Sequence, residues 1–125
     1  MRILIVDDSA MMRSLIKRVV RLTAVPVEEV LEAANGKEAL AILESEDVQL
    51  MLTDINMPVM NGADLLREVA KHERWRGLGR AIISTDGSAA RREEAEGLHV
   101  HHYLKKPFTP EDLRDVLTDL VAVRS

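Results

Sequence analysis

Residues 50–62 read Leu50-Met51-Leu52-Thr53-Asp54-Ile55-Asn56-Met57-Pro58-Val59-Met60-Asn61-Gly62, and the rest of the chain is interpreted around them. Leu50 to Thr53 is a short buried strand that stops at an acid, Asp54. Pro58 lacks a backbone donor and pushes Met57 toward extended geometry, so regular structure ends there. Asn61-Gly62 is a turn dipeptide that opens the next amphipathic run. A carboxylate at the C-terminal tip of a buried strand, followed by a loop, is where an open α/β sheet keeps its chemistry.

Working outward, the same alternation recurs. Ile3 to Val6 is a continuous β-branched-rich run, the mark of a strand buried on both faces, and it ends at Asp7-Asp8-Ser9. Met12, Leu15, Ile16, Val19 and Val20 then fall at helical spacing between basic residues. A loop over Thr23 to Glu29 leads to a second strand, Val30 to Ala34, which Glu32 marks as nearer an edge. Asn35-Gly36 turns into a helix with Ala39, Leu40 and Leu43 inward. After the central stretch, a third helix is predicted from about Ala63 to about His72 with Leu65, Leu66 and Val69 inward. Gly77 and Gly79 bracket the loop to a fourth strand, Ala81 to Ile83, which ends in Ser84-Thr85-Asp86. Ser88 to Gly97 is the least apolar helix, offering mainly Ala89, Ala90 and Ala95, so it is expected to pack most loosely. His101 to Leu104 is a short fifth strand ended by Lys105-Lys106-Pro107. Thr109-Pro110-Glu111-Asp112 is a strong helix start, and Leu113, Val116, Leu117, Leu120 and Val121 form its buried face.

Five strands alternating with five helices predict an α/β fold with a five-stranded parallel sheet and helices on both faces. At 125 residues with no flexible linker, residues 1–125 fit one domain. The chain has no cysteine, so disulfides and thiolate metal sites are excluded. A net charge of −4, from 17 basic and 21 acidic residues spread along the chain, argues against a nucleic-acid partner. The first apolar run is too short for a leader or a membrane span, so a soluble cytoplasmic protein with no membrane partner is expected.

In a parallel sheet the C-terminal strand ends share one edge. That edge collects Asp7 and Asp8, then Asp54, then Ser84 and Thr85, then Lys106. Three close carboxylates repel by roughly 4 kcal/mol per pair at an effective dielectric near 20. A magnesium ion would relieve that strain, and the lysine and hydroxyl suit a transferring phosphoryl group. Asp54 is the candidate nucleophile, since carboxylates form acyl phosphates. Taken alone, an acidic pair after a strand is more often a helix cap; its convergence with Asp54 and Lys106 favours a site.

With an acidic pair after strand one, DINMPVMNG after strand three, a hydroxyl after strand four and KPF after strand five, the chain resembles the response-regulator receiver domains, most closely their single-domain CheY-like members. The resemblance covers essentially the whole chain and implies the strand order 2-1-3-4-5, which periodicity does not supply. It makes Asp54 the phosphoacceptor, with Asp7, Asp8, Asp54 and the Asn56 backbone carbonyl holding magnesium. It makes Lys106 the lysine that pairs with the phosphate, Ser84 the switch hydroxyl, with Thr85 competing for that role, and Tyr103 the aromatic switch. Ser84 is preferred because it leaves Asp86 as the acid two residues on. The implied donor is a histidine kinase or histidine phosphotransfer protein. The implied output is docking of a downstream target on the surface of helix four, strand five and helix five by a monomer. Chemotaxis is the first output considered, with a phosphorelay shuttle as the alternative.

An aspartyl-phosphate hydrolase would want an acid where Asn56 stands, and a flavodoxin-like nucleotide binder would want a phosphate loop where Asp7-Asp8 repels anions. The lysine at 106 implies a cis bond to Pro107 by the same resemblance, and Ile55 stands where some members have tryptophan. His99, His101 and His102 are read as surface residues unaccompanied by an acid. Lys105 is read as solvated, and Met11, Met12, Met57 and Met60 as packing and loop fillers.

Overall fold

A computed structural model describes residues 1–85 and 87–124; the acid at 86 lies outside the described residues. Among the described residues the elements run β1 (Arg2–Val6), α1 (Ala10–Leu22), β2 (Glu29–Ala33), α2 (Gly36–Ser45), β3 (Leu50–Thr53), α3 (Gly62–Ala70), a single 3-10 turn (Glu73–Trp75), β4 (Gly79–Ser84), α4 (Ala89–Glu96), β5 (His102–Lys105) and α5 (Pro110–Arg124). All strand pairs are parallel, in the order β2-β1-β3-β4-β5. The expected α/β architecture is therefore the observed one, including the edge position of β2.

Period-two alternation divides the core. Ile3 and Ile5 of β1, Leu50 and Leu52 of β3, and Ala81 and Ile83 of β4 face α1 and α5. Leu4, Val6, Met51 and Ile82 point the other way, onto α2 and α3, with Ala95 from α4. Because the central strands are covered on both sides, every residue of β3 and β4 is buried. Truncating a fully buried residue such as Leu66 to alanine costs about 2–5 kcal/mol.

Each helix start carries a side-chain cap. Ser9 accepts from Met12 N–H, Asn35 from Glu38 N–H, Asn61 from Asp64 N–H and Ser88 from Arg91 N–H. Thr109 and Asp112 cap reciprocally: the hydroxyl accepts from the Asp112 N–H at 3.1 Å and the carboxylate from the Thr109 N–H at 3.1 Å. No helix among the described residues is long and apolar enough to cross a membrane.

Several expectations are corrected. β2 begins at Glu29 and ends at Ala33, because its bounds follow the pairing of Arg2 with Glu29 through Val6 with Ala33. β4 starts at Gly79, paired with Leu50, where an added Cβ would lie 2.7 Å from the tip of the Leu50 side chain, so glycine lets the two strands pair without moving that side chain. β5 is shifted one residue, to His102–Lys105, by its pairing with Ala81–Ser84. α3 stops at Ala70, and the chain continues through the 3-10 turn that buries Trp75. Leu15 is partly exposed and Met11 is 84 % exposed, so neither is core; the helix α1 stripe is narrower than its apolar residues. In α4, Ala95 alone of the three alanines is buried, which leaves that helix with even less packing than composition implied.

Candidate functional site

β1 and β3 end level with each other, Val6 opposite Thr53, so the residues that follow them leave the sheet side by side. The Asp7 N–H donates to the Ala33 carbonyl at 3.1 Å, and the Asp54 N–H donates to the Val6 carbonyl at 2.9 Å. Those bonds extend the ladders by one residue and aim both carboxylates over the C-terminal edge. Oxygen atoms of Asp7, Asp8 and Asp54 lie within 4.8 Å of one another.

Lys106 reaches this group from the end of β5. Its Nζ lies 2.9 Å from Asp7 Oδ2 and 3.6 Å from Asp54 Oδ2, and the lysine is only 8 % exposed. The backbone helps: the Lys106 N–H donates to the Ser84 carbonyl at 2.8 Å, and the Lys106–Pro107 bond is cis. Asp7 is 2 % exposed and accepts the Ser9 N–H at 2.9 Å, so its charge is held by an ammonium and a backbone donor. Asp54 Oδ1 accepts the Ile55 N–H at 2.7 Å, which leaves Oδ2 turned toward the lysine. Asp8 is exposed, at the mouth.

The β3–α3 loop is fastened from beneath. Its Gly62 N–H donates to the Ile55 carbonyl at 2.8 Å, and a Cβ at Gly62 would fall 2.0 Å from the Asp54 carbonyl oxygen. Glycine is therefore required by close approach, not by an unusual φ. Ile55 is buried, filling the interior beneath the loop. The chain's own Trp75 is buried beside Leu43, whose carbonyl accepts its indole N–H, near the N-terminal ends of β3 and β4 and away from the carboxylates.

Ser84 closes β4 and is fully buried, whereas Thr85 is exposed and lines a shallow apolar groove with Met12, Leu15 and Phe108. Tyr103 is half-buried on β5, opposite Ile82, with the Arg92 guanidinium 5.1 Å above its ring. Lys105 is exposed. Two contacts were not foreseen. Arg91 of α4 donates from Nη2 to the Asn56 Oδ1 at 3.1 Å, and Arg13 of α1 donates to the Asp7 carbonyl at 2.7 Å. Both join residues that no sequence spacing connects. The histidines are also corrected: His102 Nε2 is 2.9 Å from Asp119 Oδ2, and His101 Nδ1 accepts the Arg80 N–H at 3.2 Å. They are ordinary contacts of β5 with α5 and β4.

Three carboxylates against one ammonium leave the crevice with a formal charge of −2, and every donor is a hard oxygen. Such a set could hold a divalent cation of the magnesium type and offers nothing to a soft one.

The model of the response regulator receiver domain matches residues 3–118. The chain belongs to that family. Among receiver proteins, it is 38 % identical over 126 residues to a chemotaxis protein CheY homolog of Campylobacter jejuni, covering 100 % of this chain and 95 % of that one. It is 40 % identical over 118 residues to the chemotaxis protein CheY1 of Helicobacter pylori, covering 94 % of each. The solved structure of Vibrio cholerae chemotaxis protein CheY4 superposes with a TM-score of 0.84 at 28 % identity, covering 95 % of this receiver chain and 97 % of the other. As a receiver domain the chain is a phosphoacceptor signalling protein of two-component type, and receiver domains generally bind magnesium.

Proposed function

We propose that residues 1–125 form one receiver domain, switched by phosphorylation of Asp54, with a chemotaxis-type output. The supporting observation is one crevice in which the Lys106 ammonium touches Asp7 and approaches Asp54 while Asp8 completes the acidic cluster. Full-length similarity to proteins named for chemotaxis supports the output.

Asp54 Oδ1 is occupied by the Ile55 N–H, so Oδ2 is the atom free to attack. The donor is the phosphohistidine of a histidine kinase or a histidine phosphotransfer protein. The Oδ2–phosphorus bond forms as the nitrogen–phosphorus bond breaks, and the electron pair stays on that imidazole nitrogen; the ring, protonated at its other nitrogen beforehand, departs as neutral imidazole. Magnesium, held by Asp7, Asp8, Asp54 and the Asn56 backbone carbonyl, supplies positive charge to the phosphoryl oxygens when bound. Lys106, already between the two acids, gains a dianion as a stronger partner and pairs with it. Ser84 is the hydroxyl at the neighbouring strand end that donates to the phosphoryl group, and its movement makes room for Tyr103 to turn inward. Because α4 buries little, the surface of α4, β5 and α5 is the part that answers, and a downstream protein docks there. The setting is the cytoplasm, where such a donor is found. A relay between two histidine proteins would use the same step. Asn56 has no acidic proton to give a leaving alcohol, so the residues support acceptance over turnover of a phosphomonoester.

The test is Asp54→Asn with acetyl phosphate and magnesium, followed by phosphorus NMR or gel mobility. Labelling disappears in the variant if Asp54 is the acceptor; undiminished labelling overturns the assignment.

A further inference from the structure

At the opposite end of the sheet from the carboxylates, β4 begins with Gly79-Arg80, and Arg80 points with Ile82 toward the α3 and α4 side. It is only 6 % exposed. Its Nη2 lies at the limit of a hydrogen bond to the Trp75 carbonyl, 3.5 Å away, and its Nε and Nη1 meet no acceptor among the described residues. A buried guanidinium with two unpaired donors is costly: each lost partner is worth about 1–3 kcal/mol, and more for a charged group. Burial pulls the Arg80 pKa below its ordinary value, the same penalty seen from the proton's side.

Arg80 forms part of the wall of a cavity of about 250 Å³ between the end of α3, the 3-10 turn and the α4–β5 connection. Lys71, His72, Arg76 and His99 line it with Arg80 and one acid, Glu73. Lys71 is paired with Glu68 at 2.9 Å, so Arg80 is the lining cation without a carboxylate partner among the described residues. Glu73 and Arg76 pair with each other at 2.9 Å, and both are more than four-fifths exposed, so the pair is weak and offers little resistance to displacement. His99 is held at the rim by a left-handed backbone, with φ 59. None of these residues serves the carboxylate crevice.

We propose that this cavity is a second ligand site, which takes a small phosphate-class oxyanion on the Arg80 guanidinium. A guanidinium with two unpaired donors matches the several oxygens of a phosphate-class ion, and the volume holds one such ion with a few waters. Displacement of Arg76 and Glu73 with a small shift of the buried guanidinium brings the ion to the Arg80 donors, while Lys71 and the two histidines supply donors at the rim.

The experiment is a titration of nitrogen-labelled protein with inorganic phosphate, without magnesium, at constant ionic strength set by chloride, read by NMR at the arginine side chains and histidine rings. The expected result is a saturable shift at the Arg80 Nε–H and at His72 and His99, with a Kd on the order of 1 mM. Arg80→Leu abolishes it, whereas Lys106→Met, which disables any phosphate pairing at the crevice, leaves it unchanged. Should Arg80→Leu not fold, Lys71→Ser with Arg76→Ser, both at exposed positions, is expected to weaken binding at least about threefold, the loss of two rim charges. A parallel titration with glycerol phosphate separates a phosphorylated metabolite, which binds more tightly than the free ion, from inorganic phosphate itself, which binds equally or better. Shifts that grow linearly with phosphate, that track Lys106 and not Arg80, or that survive loss of the cavity's cations overturn the proposal.

Discussion

Replacing Asp8 with asparagine is expected to stabilise the protein without divalent metal and to reverse that order with it. Carboxylate oxygens of Asp7, Asp8 and Asp54 lie within 4.8 Å of one another, so Asp8 takes part in two like-charge pairs. At that spacing each pair costs about 3.5 kcal/mol at an effective dielectric of 20 and about 0.9 kcal/mol in bulk water. Asp8 is exposed, so the lower figure is nearer, and two pairs less the opposing attraction of the Lys106 ammonium leave about 1 kcal/mol. Asp8 also precedes the Ser9 cap of α1, where an acid favours the helix dipole by about 0.5 kcal/mol. The net gain on removing the charge is about 0.5 kcal/mol, a degree or two in Tm for a domain of this size. Magnesium at a hundredfold excess over its Kd then stabilises the wild type by about 2.7 kcal/mol, while the variant has lost one of its ligands and gains much less. Thermal unfolding by circular dichroism, in EDTA and across a magnesium series, reads both halves. A variant less stable than wild type in EDTA, or one stabilised by magnesium as much as wild type, refutes the reasoning.

Lys106→Met is expected to lower stability by about 3 kcal/mol, because Asp7, 2 % exposed, loses the ammonium 2.9 Å away; a urea midpoint within error of wild type contradicts this. Gly62→Ala forces its Cβ against the Asp54 carbonyl, 2.0 Å away, and is expected to cost about 2 kcal/mol and to slow phosphorylation by acetyl phosphate, both measurable on the same sample. His101 has its pKa lowered, first by burial and then by the charge of Arg80. The unfolded chain therefore binds more protons as pH falls through about 6.5, and the His101 contribution, complete above that pH, is lost below it. Urea midpoints at several pH values are expected to fall less steeply in acid for His101→Phe than for wild type; parallel profiles remove the residue from the account.

Several features were legible because they are local. Ile3 to Val6 and Leu50 to Leu52 are apolar on every residue, which only a strand covered on both faces tolerates, and Thr109 caps the start of α5 as its sequence implies. Asp7, Asp54 and Lys106 follow strand ends, and in a parallel sheet such ends share an edge, so their meeting follows from topology. Leu15 misled because helical spacing marks a face but not how far a neighbour covers it. β4 reached back to Gly79 because its partner strand, not its own residues, set where pairing starts.

The sequence by itself determined the alternation of strands and helices, the acids and lysine at the strand ends, and the Thr109 cap, since each depends on residues within a few positions. Tertiary structure decided which atom of Asp54 is turned outward, that Arg91 holds Asn56, and that Arg80 is buried with two donors unpaired among the described residues. Those outcomes depend on side chains brought together from distant parts of the chain. Their distances are fixed by how the helices pack on the sheet, and no spacing along the chain encodes that.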